Sequence, residues 1–85
     1  MVKRVSEAKL RIMEWIYANY PDSWLYDYPC ASAYMGYYVK HARELERMGL
    51  VEIEKAVNPK TNRIKQRLKL TEKGYQHLLK LLGGN

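Results

Sequence analysis

Residues 50–70 read LVEIEKAVNPKTNRIKQRLKL. Val51, Ile53 and Val57 alternate with Glu52, Glu54 and Ala56; after a break, Ile64, Leu68 and Leu70 alternate with Lys65, Arg67 and Lys69. A period of two sends successive side chains to opposite faces of an extended chain, so each half predicts a strand. NPKTNR between them is made of turn formers, and the stretch predicts a hairpin over about 50–70 with its tip at Asn58–Arg63. From Lys55 to Thr71 there are six cations (Lys55, Lys60, Arg63, Lys65, Arg67 and Lys69) and no acid. Unopposed positive charge on a projecting hairpin suits a polyanion, whose phosphates release counterions as they are neutralised. The plainer reading is that charge on an exposed hairpin prevents edge-to-edge pairing.

Upstream, GYYVKHARELERMG places Tyr38, Ala42 and Leu45 on one helical stripe with Met48 nearby, and Tyr37, Lys40, Glu44 and Arg47 on the opposite face. This predicts a helix over about 36–48, stopped by Gly49 in the left-handed region. Downstream, Thr71 caps a last helix of about 72–82 with Glu72 at its positive end and Leu70 stapled to Tyr75. Its apolar stripe is Tyr75, Leu78, Leu79 and Leu82, and Gly83-Gly84 ends it. Further back, Ser6 caps a first helix of about 7–20, stapled by Val5 and Leu10, with an apolar face of Leu10, Met13, Ile16, Tyr17 and Tyr20. PDSWLYDYP reads as a loop, with two prolines and no period. Pro29 behind Asp27 suits the first turn of a short helix over about 29–34, with Gly36 marking the turn after it.

The fold class expected from these elements is α+β, mainly α, in one domain over 1–85, because 85 residues give too little apolar surface for two cores. The net charge of +6 is uneven: residues 1–34 carry four Lys/Arg and four Asp/Glu, and residues 35–85 carry eleven against five. Any polyanion is expected at the carboxy-terminal part. With Cys30 as the single cysteine and His41 and His77 as the two histidines, neither an intrachain disulfide nor a zinc cluster is expected, and dimerisation is the remaining way to reinforce a small core. No run approaches the roughly 20 apolar residues of a membrane span, and MVKRVSEAKLRIMEW lacks a signal-peptide core, so a soluble cytoplasmic chain with no membrane partner is expected. No nucleophile–base pair or convergent acid pair is recognisable, so neither catalysis nor a cofactor is expected.

The order helix, short helix, helix, hairpin, helix resembles the winged helix-turn-helix. HARELERMGLVEI resembles the end of the recognition helix and first wing strand of MarR-, PadR- and ArsR-like regulators, and LKLTEKGYQHL is similar to their second wing strand running into the next helix. The two motifs, at 41–53 and 68–78, lie within residues 36–78, about half the chain. The resemblance implies a transcription regulator that binds double-stranded DNA as a homodimer, with the helix at 36–48 in the major groove and the hairpin as a wing on backbone or minor groove. Candidate contacts are then Tyr37, Lys40, His41, Arg43 and Arg47 from the helix, and Lys55, Lys60, Asn62, Arg63, Lys65 and Arg67 from the wing. Tyr37, Lys40 and His41 are expected nearest the bases and Arg43 and Arg47 on backbone. Tyr75, Leu78, Leu79 and Leu82 form the expected dimer interface. Full-length MarR-like proteins build their dimers from additional helices at both ends, whereas the stripe Tyr75–Leu82 and helix 1 are what is expected to serve here, so the resemblance implies neither the dimerisation mode nor a ligand pocket.

Nine of the ten aromatics lie between Trp15 and Tyr38. They suit a core more than a sensor pocket for a flat small-molecule effector or a stacking surface for bases. Cys30 likewise reads as a small core residue rather than a redox switch, and His77 as a surface residue. Two rivals remain to the regulator: a winged-helix module that binds protein through its apolar C-terminal stripe, and a DNA-packaging protein without sequence preference.

Overall fold

The computed structural model describes residues 6–82, with the side chain of Leu82 outside the description. Ser6 accepts a hydrogen bond from the Lys9 amide at 3.3 Å and so caps α1 (Glu7–Asn19), which buries Ile12, Met13 and Ile16. The staple from Val5 lies outside the described residues. After α1 the chain makes 3-10 turns at Leu25–Asp27 and Ser32–Tyr34, and then α2 (Met35–Arg47) buries Tyr38, Ala42 and Leu45. Strands β1 (Val51–Asn58) and β2 (Arg63–Leu70) form an antiparallel hairpin, and α3 (Glu72–Leu82) follows. The molecule is therefore an α+β, mainly helical fold with three α-helices and a two-stranded hairpin.

The short helix expected at 29–34 and the turn at Gly36 are both corrected. Tyr28 stacks flat on Tyr38 at 4.5 Å and meets Trp15 edge-on at 5.4 Å, which holds this segment against α1 and α2. Six residues are also too few to nucleate a helix unaided. One 3-10 turn leads straight into α2 instead, and Gly36, whose φ is not positive, continues the helix rather than breaking it. The helix pair of the sequence reading is thus one α-helix preceded by tight turns.

Gly49 does stop α2, at φ 76°. The next step, Leu50 to Gly74, locks the hairpin base to α3. Thr71 donates its hydroxyl to the Gly49 carbonyl at 2.6 Å and accepts from the Gly74 amide at 3.0 Å, while its own amide donates to the Leu50 carbonyl at 3.1 Å. A Cβ on Gly74 would sit 1.9 Å from the Leu50 oxygen, so glycine is required there for close approach. Lys73 adds a bond from its ammonium to the Met48 carbonyl at 3.2 Å. LTEKG is in this way a docking sequence that seats the last helix on the end of α2.

Leu25, Leu45, Leu50, Val51, Leu68 and Leu78 join the buried residues of α1 and α2 in one apolar cluster, against which Trp15, Tyr28 and Cys30 pack. The core expectation for the aromatics holds only in part: Trp24 and Tyr38 are buried and Trp15, Tyr28 and Cys30 half-buried, whereas Tyr17, Tyr20, Tyr26, Tyr34 and Tyr37 are exposed. His77 departs from its surface expectation: it is half-buried, with Nε2 sealed off from solvent. Among the described residues no helix is long and apolar enough to cross a membrane.

Candidate nucleic-acid interface

At 100° per residue, positions 36, 40, 43 and 47 of α2 fall within about 60° of one another. Gly36, Lys40, Arg43 and Arg47 accordingly form a single exposed stripe on the face away from Tyr38, Ala42 and Leu45. Tyr37 lies beside it, 67% exposed. Glu46 borders the stripe on its other edge and is exposed, whereas Glu44 and His41 turn inward toward α1. Glu44 holds the Lys9 ammonium at 3.3 Å, a hydrogen bond that keeps its carboxyl below the usual range. His41 is half-buried with Nδ1 sealed 3.6 Å from Glu44, in the groove between α1 and α2 rather than on the stripe. Of the five helix candidates, Lys40, Arg43 and Arg47 are thus together on the free side, Tyr37 lies between them and the groove it also lines, and His41 stands apart within that groove.

In the hairpin, register sorts the cations. Glu52 faces Lys69 and Glu54 faces Arg67 near the base, whereas Lys55 faces Gln66, Ala56 faces Lys65 and Asn58 faces Arg63 toward the tip. Arg67 donates from Nε and Nη2 to Oε2 of Glu54 at 2.7 and 2.5 Å, and from Nη1 to the Pro21 carbonyl at 3.3 Å. Its guanidinium lies 5.0 Å from the Tyr20 ring and 5.4 Å from the Trp24 ring. Burial alone would raise the Glu54 carboxyl, but the hydrogen bonds from Arg67 and Tyr20 and the charges of Arg67 and Lys69 lower it. Arg67 is therefore a joint between the hairpin and the loop after α1, and its placement corrects the sequence picture of six equivalent free cations.

That joint is reinforced beside it. Ser23, fully buried, accepts the Leu68 amide at 2.8 Å and donates its hydroxyl to the Leu68 carbonyl, and Trp24 bridges to Arg67. A third length of chain in this way lies along the outer edge of β2. The signal that could have found it is the buriable run Ser23-Trp24-Leu25 within PDSWLYDYP.

Toward the tip Lys55, Lys60, Arg63 and Lys65 are exposed, and among the described residues no acid pairs with them. Asn62 is exposed too, but its φ of 58° gives it a backbone task in the turn, one that asparagine tolerates. Asn58 is buried and closes the same turn, accepting the Lys60 amide on Oδ1 at 2.9 Å and the Asn62 amide on its carbonyl at 2.6 Å.

The expected interface residues on α3 also divide. Leu78, 1% exposed, belongs to the core and has no surface left to offer a partner, which corrects its assignment. Tyr75 and Leu79 remain exposed, and Tyr75 stacks on the exposed Tyr17 of α1 at 5.6 Å. Compared with protein-family models, with characterised proteins and with solved structures, the chain matches none.

Proposed function

We propose that this chain binds double-stranded DNA as a winged-helix transcription regulator, with α2 in the major groove and the hairpin tip on the backbone or in the adjacent minor groove. The observation that carries the reading is the set of seven exposed cations, Lys40, Arg43 and Arg47 on α2 and Lys55, Lys60, Arg63 and Lys65 on the hairpin, none of them in an ion pair among the described residues. Cations left unpaired on a helix face and a projecting hairpin form the electrostatic footprint of a phosphate binder. The hairpin between α2 and α3 and the Trp24 bridge alongside β2 support the wing, while tight turns stand where the helix-turn-helix has the first helix of its pair. Tyr37 and Lys40, at the head of the stripe, read base edges, and the remaining cations hold the backbone. Arg67 and His41 are left out of the contact set.

Selection of duplexes from a random pool, with affinities measured at about 50 and 200 mM salt, tests this. Steep weakening with salt and enrichment of one sequence are the expected results. Equal affinity for random and selected duplexes favours packaging instead. Weak and salt-independent binding favours a protein-binding module, for which Tyr17, Tyr75 and Leu79 supply the exposed apolar surface. The same three residues are proposed to pair two copies as a homodimer; a monomer in ultracentrifugation at high micromolar concentration sinks that part.

A further inference from the structure

Three glycines can be compared by what the fold asks of them. Gly49 takes a positive φ, and Gly74 admits the Leu50 carbonyl where a Cβ would collide with it. Gly36 does neither: its φ is not positive, and a Cβ there would meet nothing within 4 Å. It is exposed in the first turn of the 13-residue α2, where the full cost of a helix-interior glycine does not apply but alanine is still the better helix former. Among the described residues no neighbour requires it.

Its position accounts for it from outside. Gly36 shares the azimuth of Lys40, Arg43 and Arg47, so it leaves a bare patch of helix backbone at the head of a cationic stripe. A gap the size of a side chain, followed along one line by three unpaired cations, fits a narrow polyanionic chain that must lie against the helix. We propose that Gly36 is the point of closest approach between α2 and one sugar–phosphate strand of duplex DNA, an inference that rests on the DNA-binding reading above. Any side chain at this position holds the strand off the helix and lengthens the contacts of Tyr37 and Lys40. Gly36 is thus a positioning residue, acting by the room it leaves.

The opposed demands of fold and ligand give the test. Gly36→Ala and Gly36→Leu are compared with the wild type in thermal unfolding and in titration of a fluorescent duplex of about 25 base pairs, spanning two turns and more of B-DNA. Gly36→Ala is expected to raise Tm by about 4 °C, since alanine is the better helix former. The same variant is expected to weaken DNA binding about tenfold, the size of one lost base contact by Tyr37 or Lys40, and Gly36→Leu further still. The dependence of affinity on salt stays that of the wild type in both, because no cation has been removed. Wild-type binding with both variants within twofold of it overturns this inference and leaves the DNA-binding reading standing. A Tm that falls with Gly36→Ala also overturns it, since the fold would then require the glycine. A wild type that does not bind the duplex overturns the DNA-binding reading and this inference together.

Discussion

At the base of the hairpin Arg67 has its guanidinium closed in by Glu54, the Pro21 carbonyl and two aromatic rings, whereas four residues along the same strand Arg63 stands in solvent opposite Asn58. The residue type and the strand are the same. What differs is the partner across the ladder: β1 brings glutamates to positions 52 and 54, and lysine, alanine, valine and asparagine to 55–58. The hairpin is consequently a structural element at one end and an unneutralised charge at the other. Stability experiments should respond at the base and binding experiments at the tip, and each prediction below sets the one against the other.

The largest effect is expected where the base meets α3. Gly74→Ala drives a methyl group into the Leu50 carbonyl, a backbone atom that cannot rotate aside, and should cost about 3 kcal/mol in urea unfolding. A cost below about 1 kcal/mol would mean that α3 shifts freely on the hairpin base.

Arg67→Ala comes next. It leaves the half-buried Glu54 without its main partner and strips two aromatic contacts, an expected loss of about 2 kcal/mol. Lys65→Ala, two residues nearer the tip, should stay within about 0.5 kcal/mol of the wild type. Equal destabilisation by the two variants would erase the distinction between base and tip. In duplex titrations the order reverses: Arg63→Ala should lose about 1 kcal/mol of affinity, alike for all sequences, and flatten the log–log salt slope by about one. Arg67→Ala, measured where it is folded, should leave that slope unchanged.

The division explains what the sequence could and could not disclose. Strand alternation, Gly49, the Thr71 cap and the stripe Tyr38–Ala42–Leu45 are local signals and each marks its element, although toward the tip the apolar positions Val57 and Ile64 are exposed rather than buried. The run from Lys55 to Lys69 is acid-free along the chain but not across it, because Glu54, which pairs with Arg67, and Glu52, which stands opposite Lys69, belong to the preceding strand and become neighbours only through the hairpin register. His41 and Glu44 were misplaced for a related reason. Helical spacing gives their angle about the axis, but α1, which draws both inward through Lys9, is fixed by tertiary packing. Leu78 shows the limit of reading a stripe as an interface, since an apolar stripe on a short terminal helix is first claimed by the chain's own core. The segment 29–34 followed its aromatic contacts rather than its proline.

The smallest predicted effect sharpens the comparison through pH. The Glu54 carboxyl is held below its ordinary value in the folded protein, so folding favours its ionised form. A group with a depressed folded pKa contributes stability above its unfolded pKa and loses that contribution as pH falls through the folded one. Glu54→Gln fixes the neutral state at every pH with little change of shape. The variant should be less stable than the wild type by about half a kcal/mol at pH 7, and the gap should close as pH is lowered from about 5 to 3. A gap that persists unchanged at pH 3 would mean that Glu54 holds Arg67 by packing rather than by charge. Convergence would make the base of the hairpin an electrostatic lock that acid opens.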